Sequence, residues 1–195
     1  MASDSSVAGY LPFTTDNGLY DDALEDFYHD VLVGLTGLPN NLVRPKFIQE
    51  PSQQPGFEVN WMTFSLLQTS ADSQHYEGHD PEDEGTTTIE RDRIITARHT
   101  FYGPNMTQYA ERLRTMLSLS QNRDQLIGAG FGWISTGDLI PLPALIKERW
   151  VHKCEILVRY RFRAATLFRV LNLLSAQATI NTDEPPRSVS IEVNP

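Results

Sequence analysis

The chain has 195 residues, 40% of them apolar and 21% charged, with a formal charge of −9. That is the composition of a folded domain with one hydrophobic core, and the negative balance argues against free nucleic acid as a ligand. A single cysteine, Cys154, excludes an internal disulfide and any multi-cysteine zinc site, and no apolar run reaches the length needed to span a membrane.

The first basic residue is Arg44, so the basic segment that opens a signal peptide is missing, and a soluble chain made in a reducing cytoplasm is expected. Charge is uneven along the chain. Residues 1–90 hold 16 acidic groups against Arg44 and Lys46, a net of −14, whereas residues 91–195 hold 14 basic and nine acidic groups, a net of +5. Two readings stay open: acidic and basic surfaces of neighbouring copies meet head to tail, or the halves neutralise each other within one fold.

Residues 1–15 are small and polar and read as an N-terminal arm. A helix follows, with Asp16 or Asn17 as its cap. Its apolar stripe is Leu24, Phe27, Val31 and Leu35, its first turns are acidic, and Gly34, Gly37 and Pro39 end it. Four prolines between 39 and 59 predict an extended, stiff segment, with Phe47 and Phe57 pinning it to the core. Residues 60–69 read as a strand with Met62, Phe64 and Leu66 on one face and Trp61 and Leu67 on the other. Residues 70–85 are the most polar stretch and read as a long hairpin loop, closed by a β-segment rich in Thr and Ile over 86–101.

Gly103 and Pro104 introduce a second helix, with Pro104 at its first position and Met106, Tyr109, Ala110, Leu113, Met116 and Leu117 as its stripe. A short helix is expected over 123–129, then a glycine turn before Trp133. The strongest strand signal is the alternation of Cys154, Ile156, Val158, Tyr160 and Phe162, which predicts one buried face and one basic face bearing Arg159, Arg161 and Arg163. Residues 170–180 read as its returning partner, ambiguous between helix and strand, and 183–195 as an extended C-terminal arm able to add a strand to a neighbour. The expected fold is therefore α+β: an antiparallel, in part mixed, sheet with helices on one face, one domain over 16–182, and extended termini.

No P-loop, nucleophile elbow or HExxH motif is present. Gly128, Gly130 and Gly132 lack the spacing of a phosphate loop and read as a turn. His75 and His79, with Asp72, Glu77 and Asp80, have the chemistry of a divalent-metal site, which keeps a metal-dependent enzyme as an alternative. Gly78, Pro81 and Gly85 nevertheless make a solvated hairpin tip the better reading. Cys154, His99 and His152 read as structural. No catalytic residue, cofactor or bound metal is assigned.

Arg44, Pro45, Lys46 and Phe47, the prolines Pro51 and Pro55, Asn60 and Trp61 opening a strand, Trp150 ahead of the alternating strand, and Leu174, Ser175 and Ala176 together resemble the neck or tail terminator proteins of tailed bacteriophages. The resemblance spans about residues 15–182. It implies a non-catalytic virion subunit that closes with copies of itself into a ring, usually six-fold, on the tail tube. Such a ring stops tube growth and docks the head connector or adaptor proteins, with a tail sheath as a further neighbour. DNA would pass through an acidic lumen without specific binding, and no membrane is involved. Candidate subunit contacts are Arg159, Arg161 and Arg163 on the basic strand and Glu82, Asp83 and Glu84 on the hairpin loop. A head-completion or connector adaptor, expected to be more helical, is the nearer alternative.

Overall fold

The computed structural model describes residues 9–16, 18–47, 53–71, 74–81, 85–146 and 148–171. In chain order the elements are β1 (Phe13–Asp16), α1 (Asp21–Thr36), a 3-10 turn (Asn40–Leu42), β2 (Val43–Pro45), β3 (Trp61–Ala71), β4 (Tyr76–Asp80) and β5 (Thr86–Tyr102). They continue with α2 (Met106–Ser118), α3 (Ser120–Gly128), β6 (Phe131–Thr136), β7 (Ile140–Pro141), β8 (Ala144–Ile146), β9 (Arg149–Val151) and β10 (Lys153–Arg169). The chain is α+β, as its pattern predicts. Two compact units divide it: a larger one over 17–75 and 90–165, and a smaller one over 1–16, 76–89 and 166–195.

In the larger unit the strands run in the order β10, β5, β3, β2, with β6 and β7 also paired to β10. β3 and β5 are antiparallel, while β2 runs parallel to β3, so the sheet is mixed. The pairing of β3 and β5 shifts between Leu66 and Gln68, leaving Leu67 as an extra, exposed residue. β10 follows the predicted alternation: Cys154, Ile156, Val158 and Tyr160 are fully buried and Phe162 nearly so, while Arg159, Arg161 and Arg163 are exposed. The buried row packs with Tyr28, Leu32 and Leu35 of α1, Ala110, Leu113 and Leu117 of α2, and Leu126 of α3 in one apolar cluster. The helices therefore cover that face of the sheet.

α1 has its expected stripe, but its most buried aromatic is Tyr28. The helix begins at Asp21 with Tyr20 in the cap position and no side-chain cap bond, not at Asp16 or Asn17. Asp16 is taken into β1, paired with Thr166. Gly37 ends the helix in the left-handed region, its N–H donating to the Val33 carbonyl at 2.9 Å. Asn105, not Pro104, precedes the first residue of α2, and α3 begins at Ser120, three residues ahead of the predicted start.

The proline-rich segment is held differently from expectation. Phe47 is 75% exposed and Phe57 43%, so neither pins it to the core. Arg44 takes that role: Nε donates to the Asn41 carbonyl at 2.8 Å and Nη1 to the Gln53 carbonyl at 2.9 Å. A segment poor in backbone N–H groups leaves carbonyls to be satisfied by a side chain, and a guanidinium fork can serve two of them. The same guanidinium lies 5.9 Å from the centre of the Trp61 ring, which stacks on Tyr102 at 4.2 Å.

In the smaller unit β1 pairs antiparallel with the end of β10, and β4 pairs with β5. Strand β4 lies within the stretch predicted as loop, because β3 runs on to Ala71 and Tyr76–Asp80 finds a strand partner. Residues 172–180 and the 183–195 arm lie outside the described residues, as do Glu82, Asp83 and Glu84.

Candidate assembly surfaces

The basic strand face is built by the two-residue period of β10, which turns Arg159, Arg161 and Arg163 away from the core. β5 lies beside it with acidic groups at matching positions. Arg161 Nε sits 3.6 Å from Asp92 Oδ2, Arg163 Nε 3.1 Å from Asp92 Oδ1, and Arg163 Nη1 3.4 Å from Glu90 Oε2. The hydrogen bond to Asp92, then the charges of Asp92 and Glu90, raise the Arg163 pKa. Both arginines still expose 61% of their side chains, whereas Arg159 has no ion pair among the described residues. Of these contacts only Glu90–Arg163 joins the acidic half to the basic half, since Asp92 itself lies in the basic half.

Further along β10, Glu155 gathers cations: Lys153 Nζ lies 3.0 Å from Oε1 and Arg98 Nε 3.8 Å from Oε2. Burial on its own would raise the Glu155 pKa. The hydrogen bond and charge of Lys153, with Arg98 and Lys46 behind it, outweigh that and leave it lowered.

A second surface has no counterpart in the sequence reading. β8 and β9 form a two-stranded hairpin apart from the main sheet, with Leu145 paired opposite Trp150. Leu145 is 60% exposed and Trp150 68%. Arg149, beside Trp150, lies over the Phe57 ring at 5.8 Å and has no carboxylate partner among the described residues. Phe57, Pro104, Trp150 and His152 border a shallow pocket of about 160 Å³. Trp150 drew notice in the sequence only as a marker ahead of β10. The available signal was the apolar, turn, apolar pattern of residues 144–151, too short for periodicity to say which face is buried.

The remaining candidate chemistry does not assemble. His79 Nδ1 is hydrogen-bonded to Thr87 Oγ1 at 3.0 Å, and His75 is exposed. Among the described residues no group of three or more His, Cys, Asp or Glu side chains is placed to hold a metal. The Cys154 thiol is buried and its pKa is pushed up to about 11, by burial and then by the charge of Glu155. No helix among the described residues is long and apolar enough to cross a membrane.

Three of the motif residues have visible physical roles, while Pro51, Leu174, Ser175 and Ala176 lie outside the described residues. Arg44 ties the proline segment down and Trp61 stacks on Tyr102. Asn60 Oδ1 accepts the Asn105 N–H at 2.8 Å, satisfying an amide at the start of α2. Residues 22–185 match the family described as phage neck terminator protein. Among curated proteins none matches the chain.

Proposed function

The chain belongs to the phage neck terminator family, and from that premise we propose that it is the tail terminator subunit whose copies form a ring capping the tail tube and joining it to the head connector. Family membership makes it a structural component of a bacteriophage particle that associates with tail and head proteins. The ring, its six-fold symmetry, and contact with tube, connector and sheath are the finer reading, as are passage of DNA through the lumen, synthesis in the host cytoplasm and the absence of catalysis. The observation that carries it is the family match over 22–185. Support comes from the exposed Leu145 and Trp150, surfaces that a chain acting alone has little reason to leave in water. The strand-rich fold speaks against the more helical connector adaptor.

The test is a phage in which this gene is interrupted. Heads and tails should accumulate separately, tails should lose their uniform length, and a map of the normal neck should show the chain as a closed ring. Complete, infectious particles formed without the chain would overturn the reading.

A further inference from the structure

We propose that the β8–β9 hairpin of one copy seats in the groove between α1 and α3 of the next, with Trp150 in the groove and Arg149 against the acidic stripe of α1. The proposal rests on the ring reading and names the contact that closes the ring.

The hairpin is one half of the pair. Two-stranded ribbons are marginal in water unless something packs on them, and this one turns Leu145 and Trp150 outward together. Tryptophan and arginine are the side chains that most often dominate an interface; here they are consecutive in β9 and on opposite faces of the ribbon, so entry with the β9 edge leading brings both to the groove, and Arg149 lacks a carboxylate partner among the described residues.

The other half is the groove of about 230 Å³ lined by Val31, Gly34 and Leu35 of α1 and Gln121, Asn122 and Gln125 of α3. Gly34 stands inside a helix, where glycine is less stable than alanine by roughly 0.5–1 kcal/mol. A Cβ there would meet nothing within 4 Å, so packing within the chain does not require glycine. The bare backbone leaves room for close approach by another molecule. The amides at the rim can accept the indole N–H.

Charge joins the two halves. Asp22, Asp26 and Asp30 follow one another at four-residue spacing up to Gly34, and all are exposed. Acidic groups in the first turn suit the helix dipole, but Asp30 lies in the second half, and the last turn carries no basic residue. Asp30 meets His29 at 3.2 Å, while Asp22 and Asp26 have no cation partner among the described residues. The neighbouring Glu25 carboxyl is raised by burial and then by the charges of Asp22 and Asp26. A cation arriving with the hairpin relieves this crowding. Both complementary halves are in one chain, which points to a second copy as the occupant. Because hairpin and groove are different surfaces, the contact is heterologous, the kind that repeats around an axis.

Particles assembled with Arg149→Asp should fall about tenfold or more in number, and adding Asp26→Arg with Asp30→Arg should restore them. In a separate chain that keeps Trp150 and Gly34 and carries Leu145→Cys with Gln125→Cys, mild oxidation of assembled particles should yield dimers and higher multimers on a non-reducing gel, while each single substitution yields none. Circular dichroism of the purified variants reports that the fold is retained. Particles whose neck shows several copies, yet which give no cross-link and ignore the charge reversal, would overturn the hairpin–groove contact and leave the ring standing. A single copy per particle would overturn both. A cross-link within one chain, seen as a fast-migrating monomer, would assign the groove to the chain's own hairpin and overturn the proposal.

Discussion

Tyr28, His99 and Tyr160 form a hydrogen-bonded chain inside the core. Tyr28 Oη lies 2.7 Å from His99 Nε2 and donates to Tyr160 Oη at 3.0 Å. Burial lowers the His99 pKa from its ordinary 6.5 to about 4. Among the described residues Nδ1 has no partner in hydrogen-bonding geometry, so the Ile156 backbone, which pulls the other way, offsets little of that. Because the folded pKa lies below the unfolded one, the unfolded state binds the extra proton first. Stability is then full above about pH 6.5 and is lost as pH falls towards 4, by about 3 kcal/mol in all. Urea midpoints measured from pH 7 to pH 4 should show this fall, and His99→Gln should flatten it. The lowered Glu155 pKa adds a loss in the carboxylate range at lower pH. The alternation places Tyr160 on the buried face and His99 reads as structural, but the bonds that join them to Tyr28 are not legible in the sequence. Tyr28 falls beside the apolar stripe, and the separations of 71 and 132 residues leave no local pattern.

At the scale of elements, β10 and α2 were readable because strict two-fold and 3.6-fold periods leave one face to bury. The errors came where a tertiary partner outweighs local composition. Asp16 reads as a cap but pairs in a strand, and Tyr76–Asp80 is polar yet adopts β structure. Phe47 and Phe57 look like anchors, but Arg44 reaches the carbonyls they cannot. The turn between β5 and α2 is a tight junction against backbone. Gly103 has φ near 104°, and a Cβ there would come within 2.6 Å of the Val59 carbonyl oxygen. Gly103→Ala should therefore destabilise by about 2 kcal/mol or more, read as a lower thermal midpoint. Asn60→Ala removes the acceptor for the Asn105 N–H and should cost about 1 kcal/mol. If that amide is instead satisfied by water, the loss will be near zero.

For the whole molecule, composition and the split of charge between halves pointed to association but could not apportion it. The structure shows Asp92 and Glu90 taking up Arg161 and Arg163 within the chain. On the basic face of β10, the candidate left for an external contact is Arg159. Arg159→Glu should lower the yield of joined particles and leave the thermal midpoint of the isolated chain unchanged; normal yield would remove this face from the interface. Cys154 carries a consequence of another kind. It is the sole thiol, it is fully buried at the start of the alternating row of β10, and its pKa of about 11 keeps it protonated at neutral pH. A thiol reagent should therefore modify it only when β10 leaves the core, so its labelling rate is a native stopwatch for unfolding that needs no introduced dye or mutation.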